Sequence, residues 1–469
     1  MDQCLVTGGT GFLGKNLIPG LLQKGCQLTV LIRNPELLHV QKQIGGWRAL
    51  SARLSNNSSV EVWCGDLSEP CLGLAEEQML SKFSHIFHLA AIYDLKAEAQ
   101  SMLETNVQGT EHLLESVLSD GFTGRFHFIS SIAVAGDFVG VFDEDMFDEG
   151  QAHSHAYHLS KFRSEESVRR YRHEHGLDIR IYRPSAIVGD STSGEIDKLD
   201  GPYYMFLLVS SLKRWLPTWA PLVIPKLQGI LDIVPVDYVV NALVELSFMD
   251  EDMLAHDQFC FHLTDPNSFA LNKTFKAILK SADGPRVSLA IPFNLKGKYG
   301  VGVKQITMMK QLKAVQIVLR EVLARLGLPE SVFEAMMPEV KFSADKTLSV
   351  LSKVSVRPPP FHAYVDNLWD YYNRHLDPAK NRDTLAKKAF SGKKVLITGG
   401  SSGIGFASAQ KALSYGAGVI LVARHEDKLA DCITQLSEQV KPEGLVLDSF
   451  ACDLSIVEEG DRLVSYIEE

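Results

Sequence analysis

CLVTGGTGFLG, residues 4–14, decides the fold of this chain. A short apolar strand runs directly into glycines at 8, 11 and 14 and then into a helical pattern, which is the opening of a dinucleotide-binding β-α-β unit. Gly8 permits the tight turn, and Gly11 lets backbone N–H groups approach a pyrophosphate. Gly14 lets the helix lie close on the strand, with its positive N-terminus facing the anion. The phosphate cradle is therefore expected to comprise Gly8, Thr10, Gly11, Phe12, Leu13 and Gly14. Residues 395–405, VLITGGSSGIG, repeat the device with glycines at 399, 403 and 405, so one chain carries two such openings of different spacing.

Outward from the first turn, strand-like runs alternate with helical ones. CLVT, KNLIPGLLQKG and QLTVLIR are followed by a long amphipathic stretch to about residue 54 and by VEVWCGD. FSHIFHLAA, RFHFISS and DIRIYRP follow, separated by helix-length segments. This alternation predicts an α/β fold, a Rossmann-type doubly wound parallel sheet with right-handed crossovers and nucleotide at the carboxyl ends of the strands. Beyond about residue 190 it breaks down, and glycine, proline and aromatic residues crowd 200–235, as in a substrate-binding part.

Met308, Met309, Leu312, Val315, Leu319, Val322, Leu323 and Leu326 recur at helical spacing within 303–326. That helix reads either as a core cap or as the wall of an apolar substrate tunnel or membrane-facing surface. Pro358, Pro359 and Pro360 mark a boundary. The predicted organisation is a first domain over 1–376, with a cofactor part to about 190 and a mostly helical substrate part over 191–376, then a linker at 377–393. Residues 394–469 read as the first part of a second Rossmann domain that is truncated before any catalytic set and contributes no catalysis.

With 45% apolar and 22% charged residues in 469, the composition is that of an ordinary globular protein of two or three domains. The net charge of −10 is spread without a basic block, which argues against nucleic acid as a partner. Seven cysteines form no CxxC pair and read as buried thiols of a reducing compartment. No leader-like segment precedes Cys4, and no apolar run reaches the ~18 residues that span a bilayer. The expectation is a cytoplasmic protein with at most peripheral membrane contact.

A glycine turn alone says nothing about catalysis. Arg33 ends the second strand, where an acidic residue would hold the ribose 2′-OH of NAD, and an arginine there suits a 2′-phosphate; it also reads as a solvated strand end. Asp66, in GDL at the end of the third strand, can accept from the adenine amino group or serve as a turn residue. Tyr157 and Lys161 in AYHLSK share a helix face, and Ser131 lies 26 residues upstream of Tyr157 in FISSIAVAG. A cation beside a phenol favours tyrosinate, so Tyr157 is expected to exchange protons near neutrality, with Ser131 bonding the carbonyl oxygen. His153, His155 and His158 crowd the approach to Tyr157, but no carboxylate or cysteine stands at ligand spacing, and no metal is expected.

TGGTGFLG, GDL, HLAA, SSIAVAG and YHLSK together resemble the extended short-chain dehydrogenase/reductase superfamily. HLAAIYDL at 88–95, DGPYYMF at 200–206, DIVPVDYVVNAL at 232–243, FHLTDP at 261–266 and WDYYNRHLDP at 369–378 narrow the likeness further. They resemble the bacterial NADPH-dependent fatty acyl-CoA reductases that carry two short-chain reductase domains in tandem. The resemblance implies NADPH as cofactor and a fatty acyl-CoA or fatty aldehyde as substrate, reduced to a fatty alcohol, with self-association compatible. It implies Ser131, Tyr157 and Lys161 as catalytic residues and extends the cofactor contacts to Leu67, Ala90, Tyr157 and Lys161. It also brings in Asn106, which orders the active site or simply caps a helix start. The second opening resembles single-domain members, with Arg424 and Asp453 after its second and third strands. The same trio serves nucleotide-sugar epimerases and steroid or alcohol dehydrogenases, although Arg33 and the apolar 200–330 region count against a sugar. A non-enzymatic dinucleotide sensor would have no need of the trio.

Overall fold

The computed structural model describes residues 1–54, 59–91, 102–153, 155–197, 199–219, 222–226, 230–285, 287–292, 340–380, 382–440 and 446–468. The helix expected at 303–326 lies outside them. The chain forms two units, Met1–Tyr372 and Asn373–Glu469.

In the first unit, β1 (Gln3–Thr7), β2 (Gln27–Ile32), β3 (Val60–Cys64), β4 (His85–His88) and β5 (Arg125–Ile129) alternate with helices α1 (Phe12–Gln23), α2 (Leu38–Arg53) and α3 (Gly109–Ser119). A short strand β6 (Gly140–Phe142), helix α4 (Ala156–His175), β7 (Asp178–Pro184), β8 (Ala186–Val188) and α5 (Tyr203–Trp215) follow. Next come β9 (Leu222–Lys226), β10 (Ile230–Leu231), β11 (Ile233–Pro235), α6 (Val236–Ser247) and β12 (Cys260–Leu263). The remaining strands of this unit are β13 (Phe269–Ala270), β14 (Val287–Pro292) and β15 (Val340–Phe342).

Seven strands form one sheet in the order β12-β7-β5-β4-β1-β2-β3, and every pairing in it is parallel. Apart from the edge strand β3, its strands are buried nearly end to end because helices cover both faces. Cys4, Val6 and Val30 pack on Leu17, Leu21, Val239 and Leu243 on one face. Leu5, Phe126 and Ile179 pack on Leu113, Val117 and Val168 on the other. The strand order reverses between β1 and β4, which places the ligand crevice at their carboxyl ends. The short strands pair as β11 with β8, β14 with β9 and β15 with β6, all parallel, and β10 with β13, antiparallel.

The second unit carries β16 (Lys394–Thr398), β17 (Gly418–Ala423) and β18 (Leu447–Ala451), parallel and in that order. A helix at Arg382–Phe390 occupies most of the stretch read from the sequence as a linker. Among the described residues no helix is long and apolar enough to cross a membrane. All seven cysteines are free thiols, five of them buried.

Candidate active site

Two close approaches build the glycine turn. Gly8 has φ +71°, and a Cβ there would lie 2.6 Å from the backbone nitrogen of Ala90, at the end of β4. A Cβ on Gly14 would meet the Gly8 carbonyl and lie 2.6 Å from Cα of Gly9. The Gly11 N–H donates to the Gly8 carbonyl at 3.0 Å, and α1 opens with neither a side-chain cap nor an acidic residue in its first turn. Its first N–H groups and dipole are thus left for an anion, and the residues present fit a dinucleotide phosphate.

Arg33 lies exposed one residue beyond β2. Asp66 spends one carboxylate oxygen on its own turn, accepting from the Ser68 N–H and hydroxyl, each at 2.9 Å. Leu67 is buried against Gly109, and its carbonyl accepts from the His112 ring at 2.8 Å.

A chain of side-chain bonds links this turn to Asn106. The Ala90 N–H donates to Thr7 Oγ1 at 3.4 Å, and Thr7 Oγ1 pairs with Nδ1 of His88 at 2.8 Å. His88 Nε2 meets Thr110 Oγ1 at 3.0 Å, and Thr110 donates to the Asn106 carbonyl at 2.6 Å. Since Thr110 gives its proton to that carbonyl, His88 must donate from Nε2 and accept at Nδ1. Burial holds His88 down at about 3, so the ring stays neutral. Asn106 sits in a π-helical turn, Glu104–Gln108; its amide donates to Ser160 Oγ at 3.0 Å and its carbonyl also accepts from Ser164 Oγ at 2.7 Å. The loosened turn frees that carbonyl to bond α4, the helix carrying Tyr157 and Lys161.

Ser131 follows β5 and caps a short 3-10 turn, accepting from the Ala133 N–H at 3.2 Å. Its hydroxyl also bonds the Tyr157 phenol, so β5 and α4 bring two of the three sequence-predicted catalytic groups into contact. Lys161 is buried; its ammonium donates to the Ile129 carbonyl at 2.9 Å and lies 5.4 Å from the centroid of Phe128.

The electrostatics differ from the sequence expectation. The Tyr157 phenol is pushed up to about 12, chiefly by loss of water around it, with the bond to Ser131 opposing the rise and Asp200 adding to it. Lys161 is not what sets the phenol; burial draws the lysine itself down to about 8, opposed by Glu165. Tyr157 is therefore a stored proton, fully protonated at neutrality.

Sequence reading missed Asp200 and Glu165. Glu165 is buried between Arg183 and Arg169, with Arg183 Nη2 at 2.6 Å and Arg169 Nε at 2.8 Å, and it accepts from Ser130 Oγ at 2.6 Å. Burial alone would raise its carboxyl, but the two arginines hold it near 2. The i, i+4, i+8 spacing of Tyr157, Lys161 and Glu165 was a usable signal; for Asp200, a charge acting across 43 positions of sequence left none.

The crowded histidines have structural work. His155 caps α4 by accepting from the Tyr157 N–H at 3.1 Å, and His153 bonds the Val134 carbonyl at 2.9 Å. His158 is pushed down to about 4 by burial, with His155 adding to it.

Residues 6–243 match the family model described as Male sterility protein, an NAD-binding domain. Residues 393–469 match the short chain dehydrogenase model. A linear gramicidin synthase of Brevibacillus parabrevis is 26% identical over 59% of this chain, a stretch that is 5% of that protein. Glycine betaine reductase ATRR of Emericella nidulans is 25% identical over 94% of this chain and 36% of its own length. The chain thus spans well under half of these relatives. Among solved structures, the terminal R domain of the myxalamid PKS-NRPS biosynthetic pathway superposes with a TM-score of 0.60 at 22% identity, covering 80% of this chain and 91% of that one. That likeness shows the fold.

Proposed function

The chain belongs to the Male sterility protein family of NAD-binding domains, and from that premise we propose that its first unit is an NADPH-dependent reductase of long-chain fatty acyl-CoA or fatty aldehyde. The observation that supports this reading is the Tyr157 phenol, protonated and bonded to Ser131, which follows β5 at the carboxyl end of the sheet. A reduced nicotinamide bound in the crevice supplies a hydride to the carbonyl carbon. Ser131 steadies the oxygen as charge grows on it, and Tyr157 gives up its proton there. Lys161 keeps a positive charge near the site up to about pH 8. Gly8 to Gly14 would hold the pyrophosphate, and Arg33 and Asp66 would meet the adenosine end. Arg33 supports NADPH over NADH, and the resemblance of DGPYYMF at 200–206 and DIVPVDYVVNAL at 232–243 to fatty acyl-CoA reductases supports an acyl chain as substrate.

A second reading is favoured by the likeness to a linear gramicidin synthase and to a terminal R domain: the acyl group arrives as a thioester on a carrier rather than on free CoA. A cytoplasmic location is consistent with the free thiols. The test is NADPH oxidation measured separately with decanal, palmitoyl-CoA and a palmitoyl-pantetheine thioester. Turnover of at least one is expected. NADPH binding without oxidation by any of the three would refute the reductase in favour of a dinucleotide sensor.

A further inference from the structure

We propose that Asp232 is a positioning residue of the reductase centre: its carboxyl ties the loop leaving β7 to the loop leaving β12 and thereby fixes Ser185 at the edge of the nicotinamide pocket. The proposal rests on the reductase reading for the identity of that pocket. β7 lies next to β5 on the side away from β1, and the Ser130 N–H donates to the Tyr182 carbonyl at 2.8 Å. Residues 184–186 therefore leave the sheet beside Ser131, at the carboxyl end where the nicotinamide half of a dinucleotide lies.

Asp232 precedes β11 and is 5% exposed. Its Oδ1 accepts from the Asp265 N–H at 3.0 Å, and its backbone carbonyl accepts from the Ala186 N–H at 3.3 Å. The Ser185 N–H donates to the Leu263 carbonyl at 3.1 Å, and the Ser185 hydroxyl faces the same carboxyl. Three strand ends thus converge on one buried acid.

The cluster is unusual in what it leaves unpaired. Oδ2 of Asp232, Oγ of Ser185, Oη of Tyr238 and Oγ1 of Thr264 are buried and meet no partner in normal hydrogen-bond geometry among the described residues. A buried orphan of this kind is costly, and the Asp232 carboxyl, the serine that faces it and the tyrosine near it, each with one, point to a site built for something other than stability. Among the described residues the groups that face Asp232 bring no cation: Asp265 from the loop after β12, Tyr238 from α6 and Tyr364 ahead of the helix Val365–Tyr371. Asp237 is taken up by Ser191, and His362 acts on Asp265. Burial, reinforced by Asp265, accordingly raises Asp232 to about 7 against the backbone bond that opposes it. In its neutral form it can donate from Oδ2 to the facing serine while Oδ1 still accepts.

The sign of the pH effect follows. A carboxyl raised in the folded state binds its proton more tightly there, so the stability it lends is greatest below about pH 4 and is lost as the pH climbs to about 7. Asp232→Asn mimics the neutral acid and should remove this dependence. The experiment uses the full chain and two ligands: NADPH, and 2′,5′-ADP, which lacks the nicotinamide half. Asp232→Leu should weaken NADPH at least tenfold at pH 6 and leave 2′,5′-ADP within twofold. Asp232→Asn should bind both like the parent at pH 6, and unlike the parent it should hold NADPH equally well at pH 8.5. Without any ligand, the melting temperature of the parent relative to Asp232→Asn should fall between pH 4.5 and 7 and then level. Equal loss of both ligands in Asp232→Leu, or no loss, would overturn the positioning role. A pH-independent melting difference would overturn the neutral carboxyl. Neither measurement needs turnover, so failure of the reductase reading would be seen separately as absent NADPH oxidation with these arms intact.

Discussion

Replacing Tyr157 by phenylalanine removes one oxygen, and the structure says what that oxygen is worth. With the phenol held at about 12, fewer than about one molecule in ten thousand carries tyrosinate at pH 7.5, so essentially every enzyme molecule has the proton to give. Losing a positioned proton donor costs about 10²–10⁴ in rate, or roughly 3–5 kcal/mol of transition-state stabilisation. The fold loses much less. The phenol's bond to Ser131 is worth about 0.5–1.5 kcal/mol net, and Ser131 keeps its bond from the Ala133 N–H. The glycine turn and the Thr7–His88–Thr110–Asn106 chain are untouched. The assay is NADPH absorbance with decanal, beside NADPH fluorescence titration and a thermal melt. The expected result is a fall of two to four decades in rate with unchanged NADPH affinity. A phenylalanine variant that kept more than half of the parent activity would refute the assignment of the acid.

Arg33→Asp should erase or reverse a preference for NADPH over NADH of roughly 10–100-fold, the worth of a charge-assisted bond of about 1.5–3 kcal/mol; equal kcat/KM with both cofactors in the parent would sink that reading. Glu165→Ala should destabilise the first unit by about 3–5 kcal/mol in urea titration, because it strands the buried Arg183 guanidinium; a loss below ~1 kcal/mol would mean the arginine finds another partner. The same carboxyl, held near 2, should make stability decline as the pH falls from about 4.5 towards 2, a slope that a Glu165→Gln variant lacks. With aldehydes of increasing length, kcat/KM should rise by about 0.8 kcal/mol, or roughly fourfold, per buried methylene until the tunnel is full; a flat series from four to sixteen carbons would remove the tunnel.

The parallel sheet was legible because its strands are short, apolar and separated by helices of ordinary length. DIRIYRP is a strand from its first residue to its last. The trio was legible for a different reason: Tyr157 and Lys161 depend only on helical spacing, and Ser131 only on the end of one strand. What stayed hidden depends on contacts across many residues. Asp200 reaches Tyr157 from beyond two further strands, and Glu165 draws its low value from Arg183 on β7. The expected direction of the Tyr157 shift failed for the same cause. Spacing placed a lysine near the phenol, but spacing cannot state how far each polar group is withdrawn from water, and that desolvation is the largest effect on each.

The two glycine turns separate what a local motif encodes from what it borrows. Gly399 takes φ +66°, much as Gly8 takes +71°, and a Cβ on Gly405 would strike the Gly399 carbonyl just as one on Gly14 would strike that of Gly8. Asp453 accepts from the Ser455 N–H and hydroxyl as Asp66 does from Ser68. The turn, the close-packed helix and the turn aspartate are thus written locally and form in both units. The enclosure is not. A Cβ on Gly8 would meet Ala90 at the end of β4, whereas one on Gly399 would meet nothing within 4 Å among the described residues. β1 is paired on both sides and buried from its second residue on, while among the described residues β16 is paired only with β17 and no residue of it is fully buried. In the first unit the neighbouring strand β4 walls the crevice, and β5, next to it, delivers Ser131. The anion site is thus written in the turn itself, whereas the acid, the cation and the wall that hydride chemistry needs reach the first unit's crevice from elements far along the chain.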